Sequence, residues 1–132
     1  MDNIPTSLGL DMHDLLRRLF PICRSITGHG VRETLKIIQG KVPLTTHEVP
    51  SGTRCFDWVV PDEWNINDAY VKDEQGRRVI DFNESNLHVV NYSKPFEGEL
   101  TLEELRGRVF THPHLANAIP YVTSYYKRTW GF

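Results

Sequence analysis

The sequence predicts an α+β fold, with two helices at the N-terminal end followed by a mostly β segment and one short helix. Two observations carry this. Apolar residues recur at helical spacing up to about residue 40. Beyond that point the apolar runs shorten and are closed by proline, glycine and aspartate, as strands are. Segregated elements of this kind mark α+β domains, although the second and third strands could join a mixed sheet supplied from outside these residues.

Each element has its own signal. Met12, Leu15, Leu16, Leu19 and Cys23 share one helix face, with Asp11 as the expected N-cap and Asp14 adding charge near the positive end. Pro21 should stop this helix near Phe20. Val31, Leu35 and Ile38 define a second helical face, with Ile37 beside them, and Gly40 and Pro43 end it. Residues 44–49 read as a short strand closed by Pro50-Ser51-Gly52, and residues 55–60 as another ended by Pro61. Residues 68–72 and 77–82 flank Asp73-Glu74-Gln75-Gly76 and should pair as a hairpin. Residues 87–92 read as a further strand. Thr101-Leu102-Glu103-Glu104 is a capping box and should start a short helix reaching about Arg106. Residues 112–120 are expected to be loop, and the aromatic end could be helix or strand.

Composition limits the function classes. At 132 residues the chain is one domain or most of one. A net charge of -2 gives no basic field for nucleic acid or an anionic membrane. No apolar run approaches the ~20 residues that span a bilayer. Residues 1–11 lack the basic region and apolar stretch of a secretory leader, so a cytoplasmic protein is expected. Cys23 and Cys55 lie in no CxxC pair and read as buried, reduced thiols rather than a disulfide or a zinc site.

Several groups could carry chemistry. Gly28-His29-Gly30 precedes a helix and could hold an anion on its backbone N–H groups, but it follows a helix and lacks the rest of a dinucleotide or P-loop motif. A helix–helix turn is the better reading. His112 and His114, at i and i+2, could face one metal, yet no third ligand accompanies them, and a loop with two solvated histidines is preferred. Asp57, Asp62, Glu63 and Asp68 surround Trp58 and Trp64, and a buried member could be a general acid or base. Turn and surface roles are the more ordinary outcome. Ser25, Ser51 and Ser124 sit in no nucleophile elbow. The end of the chain interleaves Tyr121, Tyr125, Tyr126 and Trp130 with Lys127 and Arg128. Stacking of single-stranded nucleic acid uses such residues, but burial of the rings against the rest of a larger domain is preferred. No catalytic, cofactor-binding or metal-ligating residue is therefore assigned.

Six stretches together resemble a known family. They are residues 19–28, LFPICRSITG; 31–35, VRETL; 47–53, HEVPSGT; 56–66, FDWVVPDEWNI; 85–90, SNLHVV; and 119–126, IPYVTSYY. They are similar to the N-terminal part of bacterial aminopeptidase-like proteins, a group of the domain-of-unknown-function type often associated with polysaccharide-biosynthesis loci. The resemblance spans about residues 8–132. It implies a partial zinc-exopeptidase-like α/β core carrying a β-rich insert, and a winged-helix region towards the C-terminus of the relatives. Residues 1–52 would start the core, 53–118 would form an insert-like segment, and 119–132 would return to the core. In such relatives the zinc ligands are expected C-terminal to the matched stretch, so none is carried onto this sequence. The implied function is the scaffold portion of a zinc-dependent aminopeptidase-like protein, inactive alone and without a cofactor of its own. The implied partner is the rest of the peptidase domain, or another chain, covering the terminal aromatics; self-association is the alternative. The rival functions are a carbohydrate- or peptide-binding module without catalysis, or an interaction subunit.

Overall fold

The first helix, α1, runs Thr6–Leu19 in the computed structural model, which describes residues 6–132. It starts before Asp11, which lies inside the helix rather than at its cap. It ends as Pro21 requires, and the Arg24 side chain donates to the carbonyl of Leu19 at 2.7 Å. That places a cation on the carbonyl end of the helix dipole. The apolar stripe is largely in water: Leu8, Met12 and Leu16 are exposed, while Leu15 and Leu19 are half-buried. The second helix, α2, runs His29–Gln39, and Gly40 caps it with right-handed geometry.

The described chain divides into two compact units, the first ending at Asn65 and the second beginning at Ile66. After α2 the first unit holds one small hairpin, β1 (Arg54–Cys55) and β2 (Trp58–Val59), paired antiparallel. The run 55–60, expected as one strand, is thus folded in two. Phe56 takes a left-handed backbone, φ 54°, and a two-residue turn reverses the chain. Residues 44–49 form no strand, because no neighbouring segment offers them a ladder.

In the second unit β3 (Tyr70–Lys72) pairs antiparallel with β4 (Arg78–Asp81), the expected hairpin. Val71 faces Ile80 and Lys72 faces Arg78, so Val79 is the extra residue of a bulge. The Asp73 carboxylate organises the turn, accepting from the backbone N–H of Gln75 at 3.0 Å and of Arg77 at 2.9 Å. These bonds, the Arg77 amide first, hold its carboxyl below the ordinary aspartate range. Residues 87–92 are not a strand. Asn86–His88 is a 3-10 turn, and Tyr92 has φ 62°. Helix α3 (Leu102–Arg106) carries the complete capping box between Thr101 and Glu104.

The end of the chain is neither helix nor strand but is stitched to its own unit. Asn91 and Thr123 form a parallel bridge, with the Ser124 amide donating to the Asn91 carbonyl at 2.8 Å. Val90 donates to Gly131 at 3.0 Å, and the Phe110 amide donates to the Phe132 carbonyl at 2.8 Å. Val90 is the one buried apolar side chain among the described residues. Trp130 stacks on Phe96 with ring centres 4.5 Å apart, and the Arg108 guanidinium lies over the same indole. Tyr92, Tyr125 and Tyr126 form a ladder of edge-to-face contacts at 5.1 and 4.8 Å.

Candidate functional site

The densest polar constellation of the first unit gathers around the N-terminus of α2. Gly28 adopts φ 96° and ψ -173°, a backbone open in practice to glycine. A Cβ there would lie 2.5 Å from the Trp64 carbonyl oxygen and 2.6 Å from Asn65 Oδ1. The segment 63–65 is thereby seated against the helix entry. Two bonds fix it. The His29 amide donates to Asn65 Oδ1 at 2.7 Å, and the Trp64 amide donates to Thr27 Oγ1 at 3.2 Å. Gly30 is equally constrained, since a Cβ would fall 2.0 Å from the Cys23 carbonyl oxygen. Gly28-His29-Gly30 is therefore a tight helix–helix turn, and the His29 N–H that could have faced an anion is bonded to Asn65.

One helical turn on, Arg32 ties the cluster together. Its guanidinium donates to both carboxylate oxygens of Glu63, with the Nη1–Oε2 bond at 3.0 Å, and its Nε donates to Glu48 Oε1 at 2.8 Å. The Arg32 hydrogen bond is the main cause that holds the Glu63 carboxyl below the ordinary glutamate range; partial desolvation opposes it. Arg32 is pushed upward by the same pair. Glu63 is thus ionised with both oxygens engaged, which suits a clamp and not a general acid.

The other expected candidates are dispersed. Asp57 is exposed in the β1–β2 turn. Asp68, in the second unit, accepts from Arg78 Nη2 at 3.0 Å and from Asn83. Arg78 also bonds Asp81 and lies 4.0 Å above the Tyr70 ring, an ion-pair and cation–π cluster bracing the hairpin. His112 is half-buried rather than solvated, and its Nδ1 accepts from the amides of His114 and Leu115 at 3.2 and 3.1 Å. It caps a turn. Cys23 and Cys55 are free and half-buried, where burial had been expected, and desolvation raises the Cys23 thiol pKa. Trp58 is half exposed and Trp64 is partly buried. Ser124 is buried with its hydroxyl unpartnered. Among the described residues no three histidine, cysteine, aspartate or glutamate side chains are placed to hold a metal ion. The zinc that an aminopeptidase-like fold implies therefore does not fit these residues.

The Arg32 clamp joins positions 16 and 31 residues apart, and no local sequence signal announces it. What the sequence offered was the nearness of Glu63 to Trp64 and of Gly28 to a helix start. These contacts brace the entry of α2 in the first unit and the β3–β4 hairpin in the second.

Residues 63–132 match the family described as Domain of unknown function (DUF2172). The chain belongs to this family. It is 56% identical over 124 residues to a Clostridium acetobutylicum protein named "Putative polysaccharide biosynthesis protein with aminopeptidase-like domain", covering 94% of this chain and 29% of that protein. A crystal structure described as a "putative peptidase" from Clostridium acetobutylicum superposes with a TM-score of 0.90 at 55% identity, over 96% of this chain and 30% of the other. The chain thus spans about 30% of the length of the relatives it matches, at their N-terminal part. No helix among the described residues is long and apolar enough to cross a membrane.

Proposed function

We propose that this chain is the N-terminal scaffold portion of a zinc-dependent aminopeptidase-like protein that hydrolyses peptide or amide bonds, and that it is inactive alone. One observation carries the reading: 56% identity extends over nearly the whole chain, yet covers under a third of a relative named for an aminopeptidase-like domain. Two of the four carboxylates that could have been catalytic support it, because Glu63 and Asp68 are paired with arginines. On this reading the zinc ligands lie in the larger part of the relatives that the chain does not cover. Residues 1–52 begin a zinc-exopeptidase-like core, 53–118 form the β-rich insert-like segment and 119–132 return towards the core. Two free cysteines suit the cytoplasm.

The test is a peptidase assay with zinc added, run on the full-length Clostridium relative and on this chain. Turnover by the relative alone is expected. Turnover by the chain alone would reject the scaffold role, and none by the relative would reject the peptidase assignment.

A second reading, a carbohydrate- or peptide-binding module, rests on Trp58, a residue 49% exposed on β2. Binding to an oligosaccharide or peptide panel that is lost in Trp58→Ala would favour it. An unchanged panel would remove it.

A further inference from the structure

We infer that residues 121–126 form a docking surface for the aminopeptidase-like portion that makes up the rest of the relatives' length. This deepens the scaffold reading and rests on it. The segment is pinned at its middle, where Thr123 bridges Asn91 and the Ser124 amide bonds the Asn91 carbonyl. On either side of the pin a tyrosine stands in water: Tyr121 is 86% exposed and Tyr126 is 87% exposed. Neither ring is on a frayed end. Tyr126 is the outer rung of the Tyr92–Tyr125–Tyr126 ladder, so its plane is set before anything binds. Upstream, Leu115 and Ile119 are also more than half exposed.

Rigid, amphipathic tyrosines with few rotatable bonds are the residues that anchor interfaces. Their hydroxyls tolerate water until the partner arrives, and their rings supply area once it does. The occupant follows from length. This chain aligns almost from end to end with its relatives but accounts for about 30% of them, so the body that belongs beside it is the uncovered portion. A second copy of the chain would leave that body without a place.

Tyrosine nitration read by mass spectrometry tests this. The 132-residue chain is compared with the full-length Clostridium relative carrying this chain in place of its matched segment. Tyr70, 44% exposed in the β3–β4 hairpin, is the internal reference. Nitration of Tyr121 and Tyr126 is expected to fall at least about tenfold in the full-length protein relative to Tyr70. Equal nitration in both would overturn the proposal, as would equal protection in the isolated chain at high concentration, which would mark self-association. Capture in trans gives a second measurement. The tagged chain, co-expressed with the uncovered portion of the relative, is expected to retain it, and Tyr121→Ser with Tyr126→Ser to retain at least about tenfold less. Phe56→Ser, at a 92% exposed site of the other unit, should change nothing. No capture by the unaltered chain, or undiminished capture by the double variant, overturns the docking surface. Peptidase activity is scored separately: protected tyrosines in a full-length protein without turnover would count against the functional reading and leave the docking surface standing.

Discussion

Arg32 holds Glu63 by both carboxylate oxygens while its Nε reaches Glu48, so one guanidinium on α2 fastens two loop segments of the first unit. The pairs are substantially exposed, so solvent and salt weaken them. Arg32→Ala should lower the melting temperature of the unit more than Glu48→Ala does, because it leaves two carboxylates unpaired. The pH dependence has a definite sign. The Glu63 pKa is depressed in the folded state, so its contribution is present above the ordinary glutamate value and is lost as pH falls through the depressed one. Thermal melts between pH 3 and 7 should show that acid loss reduced in Glu63→Gln, and 0.5 M salt should narrow the gap between the native chain and Arg32→Ala. An unchanged acid limb in Glu63→Gln would contradict the clamp.

Gly28 and Gly52 separate backbone conformation from close approach. Both have positive φ, but a Cβ at Gly28 meets Trp64 and Asn65, whereas Gly52 opens on empty space. Gly28→Ala should cost more than about 2 kcal/mol, combining a glycine-only backbone with a steric clash. Gly52→Ala should cost only the left-handed penalty, on the order of 1 kcal/mol. Urea unfolding of the two variants measures the difference, and equal costs would mean that the 63–65 segment does not press on the helix entry.

Thr101 accepts from the Glu104 amide at 3.3 Å and, with its own amide, meets Glu104 Oε2. Thr101→Ala should cost about 1 kcal/mol, and Thr101→Ser should recover most of it. Amide exchange at Glu104 and Leu105 reads this locally. Unaltered exchange in Thr101→Ala would show that packing, and not the cap, sets α3.

Ser124 is 1% exposed with an unpartnered hydroxyl. Removing a buried hydroxyl that bonds nothing relieves desolvation at the loss of no bond. Ser124→Ala should therefore be neutral or stabilising, within about 1 kcal/mol. A clear loss of stability in chemical denaturation would mean that the hydroxyl has a partner.

Local signals were legible in the sequence and long-range ones were not. The α3 cap, the β3–β4 hairpin around Asp73 and Gly76, and the stop at Pro21 each depend on residues a few positions apart. Residues 55–60 misread as one strand because Cys-Phe-Asp-Trp carries no glycine to announce a turn, yet Phe56 takes the left-handed backbone. Residues 87–92 misread because Tyr92 does the same. Residues 44–49 have strand composition but no ladder partner, and composition does not supply one. In the candidate site, Gly28 was visible as a turn residue, while its fit against Trp64 and the reach of Arg32 to Glu63 exist only once the unit has folded. The resemblance to aminopeptidase-like proteins was legible because six blocks fall in order over nearly the whole chain.

Metal analysis of the purified 132-residue chain, incubated with zinc, dialysed and then assayed on aminoacyl substrates, tests the scaffold reading most directly. The account predicts zinc far below one ion per chain and no turnover, whereas the full-length Clostridium relative is expected to hold zinc and to turn over substrate. One tightly held zinc per chain, together with peptide hydrolysis, would contradict it.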